Sequence, residues 1–258
     1  MPSILVVGAT RGLGVSLVKK YAAADGNIVY GTTRSYSAPS GFPERVKWFC
    51  GVDLTSSTVG DDIVKLFGEA KPLSTVIITA GHFSTEDISI EKGPNWDEEL
   101  RMYTTSSIAP VFIVHRLLHA GLLHQGSKVI LISSEAGSIG LRHEKEGGGN
   151  YAHHASKSAL NMVGKLLSLD LKERGVIVSI VHPGFMRTEM TKGVGYDKYW
   201  DVGGAVTPDE AASSLIQWTR DLNGSKSGQF WAPRGPSDIG TVEETMGKDV
   251  ETPLQLPW

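Results

Sequence analysis

The sequence predicts an α/β chain with about seven strands in one doubly wound parallel sheet and helices on both faces. Three observations carry that expectation. Short β-rich runs alternate with stretches of helical spacing from end to end. Several strand runs are continuous in Val and Ile, as suits strands buried on both faces. A glycine-rich turn stands directly between the first strand run and the first helical run. Strand–helix alternation of this kind implies parallel pairing through helical crossovers.

The strand runs are residues 4–7, 28–32, 46–49, 76–79, 129–132, 176–181 and 229–231. The helical runs are 13–24, 59–70, 96–118, 155–172 and 208–222. Their ends are punctuated. Asp25-Gly26-Asn27 stops the first helix, Gly175 follows Lys172-Glu173-Arg174, and Thr207-Pro208 opens the last helix. No repeat or linker interrupts the pattern, so residues 1–258 read as one domain. The long non-periodic pieces are 35–45, 81–94, 135–150, about 183–207 and the tail after Pro233. In a doubly wound sheet the loops at the carboxyl ends of the strands build the site. That makes 183–207 the expected substrate loop.

Composition narrows the class. At 258 residues the chain is long enough for one large core. A net charge of −3 gives no basic field for nucleic acid or an anionic membrane surface. Cys50 is the sole cysteine, which excludes a disulfide framework and fits a reducing compartment. No apolar run reaches membrane-spanning length, and residues 4–7 lack the basic flank of a signal segment. A cytoplasmic enzyme acting on a small molecule is the expectation. His115 and His119 have i, i+4 spacing but no acidic or Cys partner nearby, so no metal site is expected.

The turn Gly8-Ala-Thr10-Arg11-Gly12-Leu13-Gly14 opens the first helix. Glycines there let the backbone approach a pyrophosphate, and the helix N-terminus offers free N–H groups and a positive dipole end. The reading is a Rossmann-type dinucleotide site. An acidic residue after the second strand would bind the ribose hydroxyls of NAD and repel a 2′-phosphate. Thr33-Arg34 stands there instead, with Arg11 as a second cation. Two guanidiniums suit a phosphate dianion, so NADP(H) is expected over NAD(H).

The stretch Tyr151-Ala-His153-His-Ala-Ser-Lys157-Ser-Ala-Leu-Asn161 resembles the catalytic helix of the short-chain dehydrogenase/reductase family. The Gly-x-x-x-Gly-x-Gly turn, Val52-Asp53-Leu54, Thr79-Ala80-Gly81 and Val181-His-Pro183-Gly184-Phe-Met-Arg-Thr188 extend the resemblance over nearly the whole chain. Gly147-Gly-Gly before that helix and the ending Leu256-Pro257-Trp258 look like a C-factor-like or fungal ketoreductase-like branch. The resemblance implies that Asp53 and Leu54 face the adenine, and that Ala80 and Gly81 line the cofactor. Pro183, Gly184 and Thr188 would then hold the nicotinamide carboxamide. Members of that family often assemble through their fourth and fifth helices, so the resemblance implies a homodimer or homotetramer.

The family works with an Asn-Ser-Tyr-Lys tetrad. Carried across, Ser134 matches the Ser and Lys157 the Lys, which also holds the nicotinamide ribose. Ser106 falls where Asn is usual, and His153 where the Tyr belongs. His153 and Lys157 share a helix face, and an imidazole can exchange protons near neutral pH. A nearby Lys⁺ disfavours the imidazolium, and an imidazole reaches less far than a phenol. Tyr151 is two residues from His153, about 200° around the helix, so it folds in only if it precedes the first regular turn. The implied function is NADP(H)-dependent transfer of a hydride to or from a carbonyl, enone or iminium. Tyr196, Tyr199 and Trp200 in the substrate loop, with His82 and Phe83 after the fourth strand, suggest a bulky apolar or aromatic substrate. An iminium acceptor, which would need no proton in the transition state, points to a secondary metabolite. A non-redox cyclase, isomerase or lyase on the same fold, or a cofactor-binding protein without turnover, are the alternatives.

Overall fold

The computed structural model describes residues 1–68, 72–91 and 93–258. Strands β1 (Ser3–Val7), β2 (Ile28–Thr32), β3 (Lys47–Phe49), β4 (Thr75–Ile78), β5 (Lys128–Ile132), β6 (Ile177–Val181), β7 (Phe230–Ala232) and β8 (Leu254–Gln255) form one sheet. Its order is β3-β2-β1-β4-β5-β6-β7-β8. Pairing is parallel through β7, and β8 joins antiparallel, Trp231 opposite Gln255. The sheet therefore has eight strands, one more than expected. The chain runs outward from β1 to β3, then restarts on β1's other side with β4, which makes the β1/β4 boundary the switch point.

The helices are α1 (Gly12–Ala23), α2 (Val59–Phe67), α3 (Trp96–Tyr103), α4 (Ala109–His119), α5 (Tyr151–Asp170), α6 (Glu189–Gly193), α7 (Pro208–Asp221) and α8 (Val242–Met246). They cover both faces. Alternate residues of each strand point to opposite sides. Leu5, Val7, Val76, Ile78, Val129 and Leu131 pack with Ile63, Ile113, Leu117 and Leu160 of α2, α4 and α5. Ile4, Val6, Ile77, Ile130 and Val181 pack with Leu17, Val18, Ala212, Leu215 and Trp218 of α1 and α7. A third cluster, Leu141, Ile180, Phe230, Ile239, Val242, Leu254 and Leu256, lies under the tail.

The helical run expected over 96–118 is not one regular helix. A π-helical turn, Thr104–Ile108, separates α3 from α4 and contains Ser106. The run expected over 155–172 begins earlier, at Tyr151, after Asn150 in the left-handed region (φ 52°). The run expected to reach Ala70 ends at Phe67, and Ala70 lies outside the described residues. Thr207 caps α7 as its sequence implied, its hydroxyl accepting from Glu210 N–H. Among the described residues no helix is long and apolar enough to cross a membrane, and no group of His, Cys, Asp or Glu is placed to hold a metal ion.

Candidate active site at the carboxyl edge of the sheet

The carboxyl ends of β1, β2, β4, β5 and β6 open on one cleft of about 2010 Å³. Small-molecule pockets usually run to about 300–1,000 Å³, so this one has room for a dinucleotide and a substrate together. Thr10, Arg11, Gly12, Leu13 and Gly14 line it where β1 turns into α1. Gly8 has φ +89°, and a Cβ on it would meet Ala80 N at 2.7 Å. A Cβ on Gly14 would run into Gly8 O. Side chains are thus excluded where backbone must approach a ligand, and the cradle fits a pyrophosphate at a helix N-terminus.

Arg11 and Arg34 are exposed and line the same cleft. Asp53 Oδ1 accepts from both the N–H and the hydroxyl of Thr55 at 2.9 Å. Those bonds, the backbone one foremost, hold its carboxyl below the usual range, helped by Arg34 and Arg101. Leu54, Ala80 and Gly81 line the cleft beside it. The Thr79 hydroxyl lies against two β1 carbonyls, Val7 O at 3.0 Å and Gly8 O at 2.9 Å. It ties the end of β4 to the cradle.

After β5 two adjacent serines take different roles. Ser133 is buried and donates to Asn161 Oδ1 at 2.6 Å, fastening the strand end to α5. Ser134, half-buried, lines the cleft and its Oγ accepts from Ala136 N–H at 3.2 Å. Lys157 is 8% exposed and donates to Ile132 O at 2.8 Å. Burial pushes its ammonium down to about 8. Its Nζ and Ser106 Oγ lie 3.8 and 3.9 Å from the place a Cβ on Gly81 would take. Ser106 Oγ is buried without a partner and does not itself line the cleft.

His153 is half-buried and stacks on Phe83, ring centroids 4.0 Å apart and 24° from parallel. Tyr196 meets Phe83 edge-on at 5.7 Å. The imidazole Nδ1 is buried without a partner. Burial, then the Lys157 charge, lower the ring to about 3. His153 is therefore a neutral ring at physiological pH. Tyr151 is the first residue of α5's regular turns and 41% exposed, so the condition for folding it inward is not met.

Pro183, Gly184 and Thr188 line the far wall. The Thr188 hydroxyl accepts from Thr191 N–H at 3.2 Å and caps α6. Phe185 N–H donates to Asp238 Oδ2 at 3.0 Å. At the rim, Arg142 pairs with Glu135 and lies 3.1 Å from Glu146. Glu86, 6% exposed, accepts from Ala152 N–H at 2.7 Å and caps α5. Burial raises its carboxyl, and Glu99 raises it further. Sequence reasoning missed Glu86, Asp238 and His182, whose Nδ1 accepts from Glu135 N–H at 3.1 Å. Only His182 carried a signal, its place directly before Pro183-Gly184.

Residues 2–198 match the short chain dehydrogenase family. The chain belongs to that family. Similar proteins agree. A 1-hydroxy-2-glutathionyl-2-methyl-3-butene dehydrogenase of Rhodococcus sp. (strain AD45) is 28% identical over 234 residues, 89% of this short-chain dehydrogenase and 96% of the relative. An uncharacterized oxidoreductase of Saccharomyces cerevisiae is 28% identical over 251 residues, covering 91% and 96%. Among solved structures, an NADPH-bound carbonyl reductase from chicken fatty liver matches with a TM-score of 0.74 at 26% identity, covering 90% and 91%. At the family level the chain is an oxidoreductase.

Proposed function

We propose that this short-chain dehydrogenase is NADP(H)-dependent, with an altered tetrad in which His153 stands in the Tyr place. It acts on a carbonyl, enone or iminium of a bulky apolar small molecule, and a secondary metabolite suits the pocket. The observation that carries the cofactor reading is the pair Arg11 and Arg34 in the glycine-turn cleft, with no carboxylate after β2. A 2′-phosphate would be held there by guanidinium forks. The similar chicken reductase binds NADPH. We place the chain in the C-factor-like or fungal ketoreductase-like branch on its Gly147-Gly-Gly and Leu256-Pro257-Trp258 motifs.

When bound, the cofactor supplies or accepts a hydride at its nicotinamide ring. Ser134 orients the substrate's polar atom through its hydroxyl. Lys157, largely protonated at neutral pH, donates to the nicotinamide ribose hydroxyls. Pro183, Gly184 and Thr188 hold the carboxamide, and Asp53 and Leu54 the adenine. Phe83, Tyr196 and Tyr199 give an aromatic wall that favours an apolar substrate. His153 holds no second proton at neutral pH, so it is not an imidazolium acid. Its Nδ1 is buried without a partner, which leaves Nε2 as the atom open to a substrate or a bridging water. An iminium acceptor fits this arrangement best, because reducing C=N⁺ gives a neutral amine and demands no proton in the transition state.

The test is NADPH consumption, followed by absorbance, against panels of ketones, enones and cyclic imines. Turnover in at least one class, imines foremost, is expected. Tight NADPH binding with no turnover in any class would contradict the reading.

The described surface also favours a second copy of the chain as partner. Met162, Leu166 and Leu169 recur at i, i+4, i+7 on α5 and are more than half exposed, and Ile108 and Phe112 of the preceding helical stretch are about half exposed. Light scattering is expected to give a dimer or tetramer, and Leu166→Glu a smaller species. A monomeric wild type contradicts this.

A further inference from the structure

A polar cluster lies behind the loop that turns from β6 into the substrate segment. Asp238 comes from the tail, and its side chain is fully buried. Its Oδ2 accepts from Phe185 N–H at 3.0 Å and stands 3.5 Å from Arg234 Nε. Its Oδ1 faces His182 Nε2 at 3.8 Å. The other nitrogen of that ring, Nδ1, accepts from Glu135 N–H at 3.1 Å, which fixes the ring proton on Nε2, towards the carboxylate. One chain of contacts thus runs from the turn carrying Ser134, through His182 and Asp238, to the loop carrying Pro183 and Gly184.

Gly184 shows why the loop sits there. Its φ is +106°, and a Cβ on it would collide with the Asp238 carboxylate and come within 3.1 Å of Arg234 Cδ. The backbone has been brought down onto the carboxylate at the one residue that permits it. Three buried polar atoms in this cluster lack partners: His182 Nε2, Arg234 Nε and Asp238 Oδ1. The 3.8 and 3.5 Å separations are just outside or at the limit of hydrogen bonding. A displacement of about 1 Å at His182, where the loop begins, would bring its ring within range of Asp238 Oδ1. Buried polar groups left unmet are costly, so the cluster favours the loop position that pairs His182 with Asp238.

We propose that Asp238, with His182 and Arg234, is a positioning group that sets the Pro183–Phe185 backbone for the nicotinamide half of the dinucleotide and couples it to the Ser134 turn. This rests on the NADP(H) reading. Asp238 touches no reacting atom and acts through the loop alone. Its effect therefore falls on one half of the ligand. The adenosine end, held by the glycine turn, Arg11 and Arg34, is served by other elements.

That asymmetry supplies the test. Dissociation constants for NADPH and for adenosine 2′,5′-bisphosphate, which lacks the nicotinamide half, are measured by quenching of protein fluorescence. For Asp238→Ala, NADPH affinity is expected to fall at least tenfold, with the bisphosphate affinity unchanged within twofold. If that variant does not fold, Asp238→Asn serves. It keeps the shape and an acceptor oxygen but loses the charge facing Arg234, and a loss of about threefold for NADPH alone is expected. A folded variant with unchanged NADPH affinity, or with equal losses for both ligands, overturns the proposal. A wild-type chain that binds neither ligand overturns the NADP(H) reading itself.

Discussion

His153 decides how the site responds to pH. Its ring is lowered to about 3, whereas an unfolded imidazole titrates near 6.5. Below about pH 6.5 the unfolded chain takes up a proton that the folded chain refuses, so stability is lost as pH decreases, by up to about 1.4 kcal/mol per unit. His153→Gln is expected to flatten that slope between pH 6 and 4 in thermal melts, and an unchanged slope would mean the ring is accessible. Lys157 titrates on the other side. Its ammonium, lowered to about 8, is lost as pH rises through that value. The KM for NADPH should climb above pH 8, with no limb near 6.5 in kcat/KM. At the cradle, Gly14→Ala forces a methyl against Gly8 O and should cost about 1–3 kcal/mol together with NADPH affinity. The glycine turn and Lys157 were legible because local spacing fixes them. Asp238 was not, being a lone acid in a Gly/Pro/Ser stretch, where only the folded tail brings it under Gly184.

At the scale of elements, α5 depends on its first turn. Ala152 N–H has no helical acceptor, and the Glu86 carboxylate supplies one at 2.7 Å from the 81–94 loop. That same loop carries Phe83 onto His153. Glu86→Ala should therefore cost about 1–3 kcal/mol in denaturant melts and loosen the aromatic wall. A neutral result would separate the loop from the helix. The sequence showed α5 by its periodicity but started it at residue 155, because the preceding glycines and Asn150 read as loop. Periodicity could not show the π-helical turn at Thr104–Ile108, since one extra residue per turn barely shifts a hydrophobic stripe. The turn shapes the backbone at Ser106, behind Gly81.

For the whole molecule, the sheet order puts the switch point between β1 and β4, and the glycine turn with it. Short runs rich in β-branched and aromatic residues made seven strands readable. The eighth has two residues and no alternation, so nothing local announced it. It matters all the same. Leu254 and Leu256 seal the third core cluster, while Pro257 O and Trp258 O accept from Ser138 Oγ and Gly140 N–H, both at 2.8 Å, on the segment after Ser134. Deleting residues 254–258 is expected to lower stability by about 3–6 kcal/mol, from two buried leucines, and to reduce turnover beyond what the lost stability explains. Full activity in the truncated chain would unlink the tail from the site.

The account stands on the grip of one cleft for a phosphorylated dinucleotide. Titrating the wild-type chain with NADPH and NADH, alongside Arg34→Ala, tests it most directly. NADPH should bind at least tenfold more tightly than NADH, with the Arg34 variant losing most of that preference while its NADH affinity stays the same. Equal affinities, a preference for NADH, or no binding of either would contradict it.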